Sequence, residues 1–390
     1  MPALGSPTLP APCTDRTLST FSASVFGYLP RSDQRRWANA YLCGLLTVTG
    51  RKTIRQIARA TRASDASPQA LQQFISASPW DWTTAREALA RTAAHRLADP
   101  VWTLGTTLIE KRGDHSVGVH RRVLPESGRV LNCQVGTGLF LTSEHLSSPV
   151  DWQLLLPDGW LADEPRRSRA RIPSSASGQP SWMDALDRAD LLTGPVVPRR
   201  APLVADLSTG ISPARLAAEL TARRRDFVIE VRPGQLVAGA DGASAFPGFT
   251  EARRLLRATD ARHPRPLGCD HHEPGRRTVV RSTLVRLPGG GQAHPAGRRV
   301  HRLLAELLPA QRRPLRYWIT SLVDHRIADV VRLTHRATLT HGAVRTLEGD
   351  YGLRDFEGRS FPGWHHHMTL ASAAYVYDLF QGATDSLRAA

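Results

Sequence analysis

Three groups of residues carry side chains that could do chemistry. Asp206 stands near the end of a compact apolar run, Pro202–Leu207, where a carboxylate can hold a hard divalent cation. It can equally cap the turn that follows, with Ser208 and Thr209. His365-His366-His367 and Cys269-Asp270-His271-His272-Glu273 contain the donor types of transition-metal sites. Adjacent helical residues point about 100° apart, so three consecutive histidines chelate one ion badly. A structural or phosphate-contacting role is the better reading of that run. Cys269–Glu273 lies in a Gly/Pro/Arg-rich stretch with no partner pair at zinc spacing and reads as a surface loop. Pro288-Gly289-Gly290-Gly291 lacks the Lys-Ser/Thr and the helix of a phosphate loop and reads as a flexible turn. Trp80 and Trp82, alternating around Asp81, could stack on bases. Apolar residues at the end of a helical bundle are more often core.

The elements that must position these residues follow from periodicity. Residues 1–24 are Pro/Thr/Ser-rich and read as a loose tail. Residues 25–99 read as a bundle of about four helices. Asp33 is a candidate N-cap ahead of Trp37, Tyr41, Leu42, Leu45 and Leu46, and Thr53 and Ser67-Pro68 are further start signals. Residues 100–232 change texture. Val101–Ile109, Val130–Thr142 and Val150–Leu156 read as strands. Pro202–Leu207, Ile211–Arg225 and Phe227–Val231 read as strand, helix and strand, a βαβ unit. Residues 233–299 read as a Gly/Pro/Arg-rich insertion with a strand at Thr278–Leu287. Residues 300–390 resume the pattern with a helix at Val300–Leu308 and a strand at Leu315–Leu322. Helices then follow at Asp329–His341, Val344–Leu347 and Met368–Phe380. The class is α/β.

With 390 residues, 41% of them hydrophobic, the chain can bury a large core, which excludes disorder throughout. No apolar run approaches the ~20 residues of a membrane helix. Cys13, Cys43, Cys133 and Cys269 are scattered and form no disulfide framework and no CxxC pair, so a reducing cytoplasm is the expected compartment. Lys+Arg is 51 against 35 Asp+Glu, a net charge of +16, which draws polyanions such as DNA. Lysine occurs only at Lys52 and Lys111. A GC-rich genome would explain arginine over lysine, but not the sign of the balance. Arg35-Arg36 and Arg223-Arg224-Arg225 are candidate phosphate contacts, with a solvated charged face as the alternative.

Several blocks occur together in one order. They are Asp33-Gln34-Arg35-Arg36-Trp37, Tyr41-Leu42-Cys43-Gly44-Leu45-Leu46, Ala70-Leu71-Gln72-Gln73-Phe74 and Ser78-Pro79-Trp80-Asp81-Trp82. Then come His115–Val119, Asn132–Gly136, Asp151-Trp152 with Leu156-Pro157, and Val204-Ala205-Asp206. The last are Gly352-Leu353, Phe356–Ser360 and Gly363-Trp364-His365-His366-His367. Over about residues 25–380 the chain thereby resembles the transposases of the IS701 type, an IS4-like branch of the DDE superfamily. The resemblance implies an RNase H-like fold: a mixed sheet with flanking helices, an N-terminal helical bundle and an insertion region. It also implies DNA as partner, and strand cleavage and transfer by two Mg²⁺ ions about 3.5–4 Å apart, held by two Asp and one Glu.

Carried over residue by residue, the resemblance retains Asp206 as the second Asp. Gly105 and Thr106 stand at the first Asp position, His341 at the Glu position and Glu348 at that of a phosphate-facing Lys. Arg345 remains nearby as a phosphate contact. Glu110 is four residues past Thr106 on the same strand face, ~13 Å away, too far to replace a ligand. The expectation is therefore a transposase-like DNA-binding protein unable to transpose, with Mg²⁺ a cofactor only if a residual site functions. One alternative is an active transposase with Asp206 and His341 holding a softer ion such as Zn²⁺ or Mn²⁺. Another is an RNase H-like scaffold recruited for small-molecule chemistry. The oligomeric state is open, a homo-oligomer among the options. All of this supposes that no acidic side chains converge beside Asp206; a second and a third acid packed within bonding reach of it would overturn the reading.

Overall fold

The computed structural model describes residues 16–389 except 62–66, 124–127, 177, 199–200, 241–247, 263–266, 271–276, 289–298 and 308–313. His271-His272-Glu273 and the three glycines after Pro288 therefore lie outside the described residues, as do residues 1–15. The rest of the expected tail is helical: α1 (Arg16–Phe26) buries Leu18, Val25 and Phe26. Four helices follow, α2 (Ser32–Thr47), α3 (Ile54–Ala60), α4 (Pro68–Ser76) and α5 (Trp82–Arg96). Their starts are chemically specified. Thr53 and Gln56 form a capping box, Ser67 caps α4, and Asp81 accepts from the Thr83 and Thr84 N–H groups at the head of α5.

The strands are β1 (Val101–Glu110), β2 (His120–Val123), β3 (Val130–Thr142), β4 (Ser147–Leu154), β5 (Leu203–Ala205) and β6 (Phe227–Val231). Next come β7 (Leu236–Gly239), β8 (Thr250–Glu251), β9 (Leu267–Asp270), β10 (Arg277–Arg286), β11 (His301–Leu307) and β12 (Pro314–Thr320). The sheet runs β2-β3-β1-β5-β6-β12-β11-β10-β7-β8, with β4 also on β3 and β9 also on β10. β3 is antiparallel to β1, whereas β5 and β6 are parallel to it. Between β4 and β5 lie α6 (Asp158–Leu161), α7 (Glu164–Ala170) and α8 (Ser181–Leu192); the parallel pair β5–β6 is joined by α9 (Pro213–Ala222), the expected βαβ unit, and α10 (Ala252–Arg262) follows β8. This mixed sheet with flanking helices is the RNase H-like arrangement. Residues 300–308 were expected to be helical. His301–Leu307 of that stretch form β11, because the segment pairs with β10 on one side and β12 on the other and non-local pairing overrides local propensity. The two helices expected between Asp329 and Leu347 are one, α11 (Ile327–Asp350), and the last is α12 (Phe361–Ala389). Among the described residues, no helix is long and apolar enough to cross a membrane. Cys43 is disulfide-bonded, a departure from the expected scattered thiols, while Cys133 is free and buried.

One sheet face packs on α11 through Val101, Val204, Val228, Leu304 and Trp318, meeting Val330, Val331 and Ala337. The hydroxyls of Thr103, Thr142, Ser147 and Thr340 form a buried cluster, with contacts of 2.6–3.1 Å, that fixes α11 over β1, β3 and β4. The N-terminal helices join the sheet through the first half of α12. His365, His366 and His367 are all buried there. Trp80 stacks on His366 at 3.9 Å between ring centroids and Trp82 on His365 at 4.7 Å. The tryptophans are thus core rather than base-stacking platforms. The His366 ring nitrogens meet the carbonyls of Ile75 and Trp80, and those of His367 meet the Tyr41 hydroxyl and the Gly352 carbonyl. The three rings diverge to different partners, which is how consecutive helical residues must point.

Candidate active site

Each strand facing α11 turns from apolar to polar at one level of the sheet. On β5 and β6 the change is from Val204 and Val228 to Asp206 and Glu230. On β11 and β12 it is from Leu304 and Trp318 to Glu306 and Arg316. The parallel registers Thr103↔Val204 and Ala205↔Ile229 bring Gly105, Asp206 and Glu230 to the same height on adjacent chains. This is where the carried-over first and second Asp positions meet. Glu306, one strand beyond β12, accepts a hydrogen bond from Thr334 of α11 at 2.7 Å.

Gly105 lacks a side chain, and the space for one is taken. A Cβ built on it would lie 2.8 Å from Val344 Cγ2 and 3.0 Å from Phe140 Cε2, closer than such atoms approach without displacement. A carboxylate at this position would require the Val344 and Phe140 side chains to shift. Thr106 points to the opposite face, as alternation demands, and its hydroxyl donates to the Thr209 carbonyl at 3.3 Å.

Asp206 closes β5 and caps the short 3₁₀ turn Leu207–Thr209, accepting from the Ser208 N–H at 3.0 Å and from its hydroxyl. Arg316 lies across the two acids. Its Nε and Nη2 donate to the two oxygens of Glu230 at 2.8 Å each, and Nη2 is 3.8 Å from Asp206 Oδ2. Its Nη1 donates to Thr338 of α11 at 3.2 Å, and the guanidinium carbon is 4.4 Å from the Trp318 ring centroid. Burial pushes the Asp206 carboxyl up. The Ser208 bonds and Arg316 hold it back, and Glu230 adds to the rise. Burial likewise pushes Glu306 up.

His341 is exposed and makes no hydrogen bond or ion pair among the described residues. No group of three or more His, Cys, Asp or Glu that could hold a metal ion occurs among the described residues. Glu348 is held over β1: Thr107 donates to it at 2.6 Å and Arg354 pairs with it. The residues present therefore do not fit a two-ion carboxylate clamp. The space at Gly105, the position the resemblance gives to the first Asp, is filled by carbon, and Asp206 and Glu230 face a guanidinium.

The five candidate arginines of the N-terminal helices and α9 separate by environment. Arg223 pairs with Asp187, Asp190 and Glu219, and Arg225 with Asp190. Arg224, between them at positive φ, is exposed and unpaired among the described residues. Arg35 donates to the Leu29 carbonyl, while Arg36 is exposed. On α11, Arg345 is exposed. Both lysines are tied inward: Lys52 Nζ donates to the Val48 carbonyl, and Lys111 Nζ donates to the Phe356 carbonyl at 2.5 Å.

Glu230 and Arg316 were missed by sequence reasoning, and Glu230 overturns the expectation that no acid stands beside Asp206. Its signal was available: one charged residue in the otherwise apolar Phe-Val-Ile-Glu-Val strand, in parallel register with Asp206. Arg316 could not have been found that way, because β12 reaches β6 only through pairing across more than eighty residues of chain.

A comparison with curated proteins finds no match. A family model described as DDE superfamily endonuclease matches residues 24–293, from the N-terminal helices through β10. That span holds Gly105, Asp206 and Glu230 on the strands that make the candidate site, so by more than half its length the chain belongs to the DDE superfamily endonuclease family.

Proposed function

We propose that the chain is a transposase-derived DNA-binding protein of the IS701 type that holds duplex DNA through arginine–phosphate contacts and does not cleave or transfer strands. The observation that carries it is the filled space at Gly105 beside an acid pair already matched by Arg316. Metal-dependent phosphodiester chemistry in this superfamily needs oxygen ligands converging from three positions. Here a helix side chain occupies the space at Gly105, and at His341, the position the resemblance gives to the Glu, stands an exposed imidazole with no bonding partner among the described residues. Arg36, Arg224 and Arg345 are the exposed candidate arginines whose side chains make no hydrogen bond or ion pair among the described residues. The net charge of +16 supports the same partner.

Binding to a nonspecific duplex, measured in EDTA across a salt series, tests the DNA-binding half. A contact with six or more phosphates is expected to lose about a thousandfold in affinity between roughly 50 and 200 mM salt. Replacing Arg36, Arg224 and Arg345 by glutamine, singly, should each flatten the log–log slope by about one. Absence of binding at low salt would contradict a DNA-binding role and favour a scaffold recruited for small-molecule chemistry.

A further inference from the structure

We propose that Arg316 is a resident cation standing in for a divalent metal ion, and that it masks a latent cation site formed by Asp206 and Glu230 at the edge of the sheet. The proposal rests on the cleavage-incompetent reading of this site, and it adds the group that has taken over the metal's charge-balancing role. Parallel register sets Asp206 and Glu230 side by side on β5 and β6, at the level where the superfamily would gather its acids. Two like charges so close on half-buried strands need a cation between them. The guanidinium supplies it. Both Glu230 oxygens receive an N–H at 2.8 Å, and the same Nη2 lies 3.8 Å from Asp206 Oδ2.

The remaining lone pairs are also served from the chain, by the Leu207 N–H to Glu230 at 3.2 Å and by Ser208 to Asp206. Arg316 is itself anchored on a third side by Thr338 of α11 and lies over Trp318. A planar fork of donors satisfies carboxylates in this geometry, whereas a divalent ion would ask each acid to turn its oxygens to one point. An incoming ion must displace a cation held by two strands and a helix. Removing only the guanidinium should therefore expose a cation-binding acid pair, whereas an ordinary structural ion pair would merely be lost.

The experiment titrates Mn²⁺ alone into the full chain by calorimetry and by its paramagnetic effect on water relaxation. Wild type, Arg316→Met, Arg316→Lys and the double variant Arg316→Met/Asp206→Asn are compared. Wild type and Arg316→Lys are expected to show no saturable site, and their melting temperatures should not respond to EDTA. Arg316→Met is expected to gain one saturable site at least about tenfold tighter than any wild-type binding, and Asp206→Asn should abolish the gain. Arg316→Gln serves if the methionine variant does not fold. Saturable, Asp206-dependent Mn²⁺ binding by wild type overturns the proposal, and so does a folded Arg316→Met that binds no more Mn²⁺ than wild type. If neither neutral variant folds unaided, Arg316→Met is refolded with Mn²⁺ and with EDTA: recovery of folded protein with Mn²⁺ alone supports the proposal, and no difference between the two overturns it. DNA binding in EDTA is a separate readout, so a failure here leaves the salt-series result intact.

Discussion

Replacing Asp151 with alanine is expected to destabilise the protein by about 3–5 kcal/mol, because it strands a buried guanidinium. Arg86 on α5 and Asp151 on β4 are 2% and 3% exposed and lie 2.5 Å apart. Arg86 also donates to Thr369 Oγ1 at 2.8 Å, the Trp152 carbonyl at 2.7 Å and the His365 carbonyl at 3.1 Å. One side chain thereby ties the N-terminal helices, the sheet and α12 together. Burial already pulls the Arg86 guanidinium below its ordinary range, with Asp151 as the main opposing influence. With Asp151 gone, the charge has only neutral acceptors beside it. Exchanging both partners for apolar residues, Arg86→Met with Asp151→Leu, should cost less than the sum of the singles. Urea denaturation of the four-member cycle checks this. An Asp151→Ala variant within about 1 kcal/mol of wild type would mean that the pair does not join these elements.

Acidification is expected to begin destabilising the protein below about pH 6.5, before carboxylates titrate. Burial pushes His366 and His367 down to about 4, and it pushes His365 well down too, with Arg86 beside it adding to the effect. His366 faces a carbonyl at each ring nitrogen, which favours the charged form, but desolvation of a ring stacked on Trp80 outweighs both. A histidine in the unfolded chain takes up its proton near 6.5. Stability from these rings is therefore complete above about pH 6.5 and is lost as pH falls toward 4, since the unfolded state binds protons that the folded state refuses. For His366 and His367 the loss at pH 4 is roughly 3 kcal/mol each. His301, also depressed to about 4 by burial, acts in the same direction. Asp206 and Glu306, raised by burial, act in the opposite one. The difference between wild type and His367→Gln isolates the ring: its stability should fall less steeply from pH 7 to pH 5. Equal slopes would contradict neutral burial of His367.

Much of the fold could be read locally, and the reasons are visible in particular residues. Thr53 and Ser67 cap the helices they were expected to start, because capping is a short-range bond, whereas Asp33, the expected cap of α2, lies inside its first turn behind Arg31, and Asp81 caps α5 without having been expected to. The β5–α9–β6 unit followed from a change of period within thirty residues of sequence. The failures were non-local. β11 carries a helix-compatible string, His-Arg-Leu-Leu-Ala-Glu-Leu, that only its neighbours β10 and β12 turn into a strand. The site divides in the same way. Asp206, Gly105 and Thr106 were singled out by motif order, whereas the filling of Gly105 depends on where α11 crosses β1. The three histidines looked like ligands by type. Their roles became clear only when the N-terminal helices supplied Trp80, Trp82 and Tyr41 as partners.

Strand cleavage is the most direct test of whether this site still works as its superfamily's does. Supercoiled plasmid carrying the DNA that flanks the gene is incubated with wild type, Asp206→Ala and Gly105→Asp, in Mg²⁺ and in Mn²⁺. Nicked and transferred products should stay at the protein-free level for all three. Gly105→Asp should also lose about 1–3 kcal/mol of stability, because its side chain enters space held by Val344 and Phe140. Metal-dependent nicking by wild type that disappears in Asp206→Ala would contradict the proposal that the protein binds DNA without cutting it.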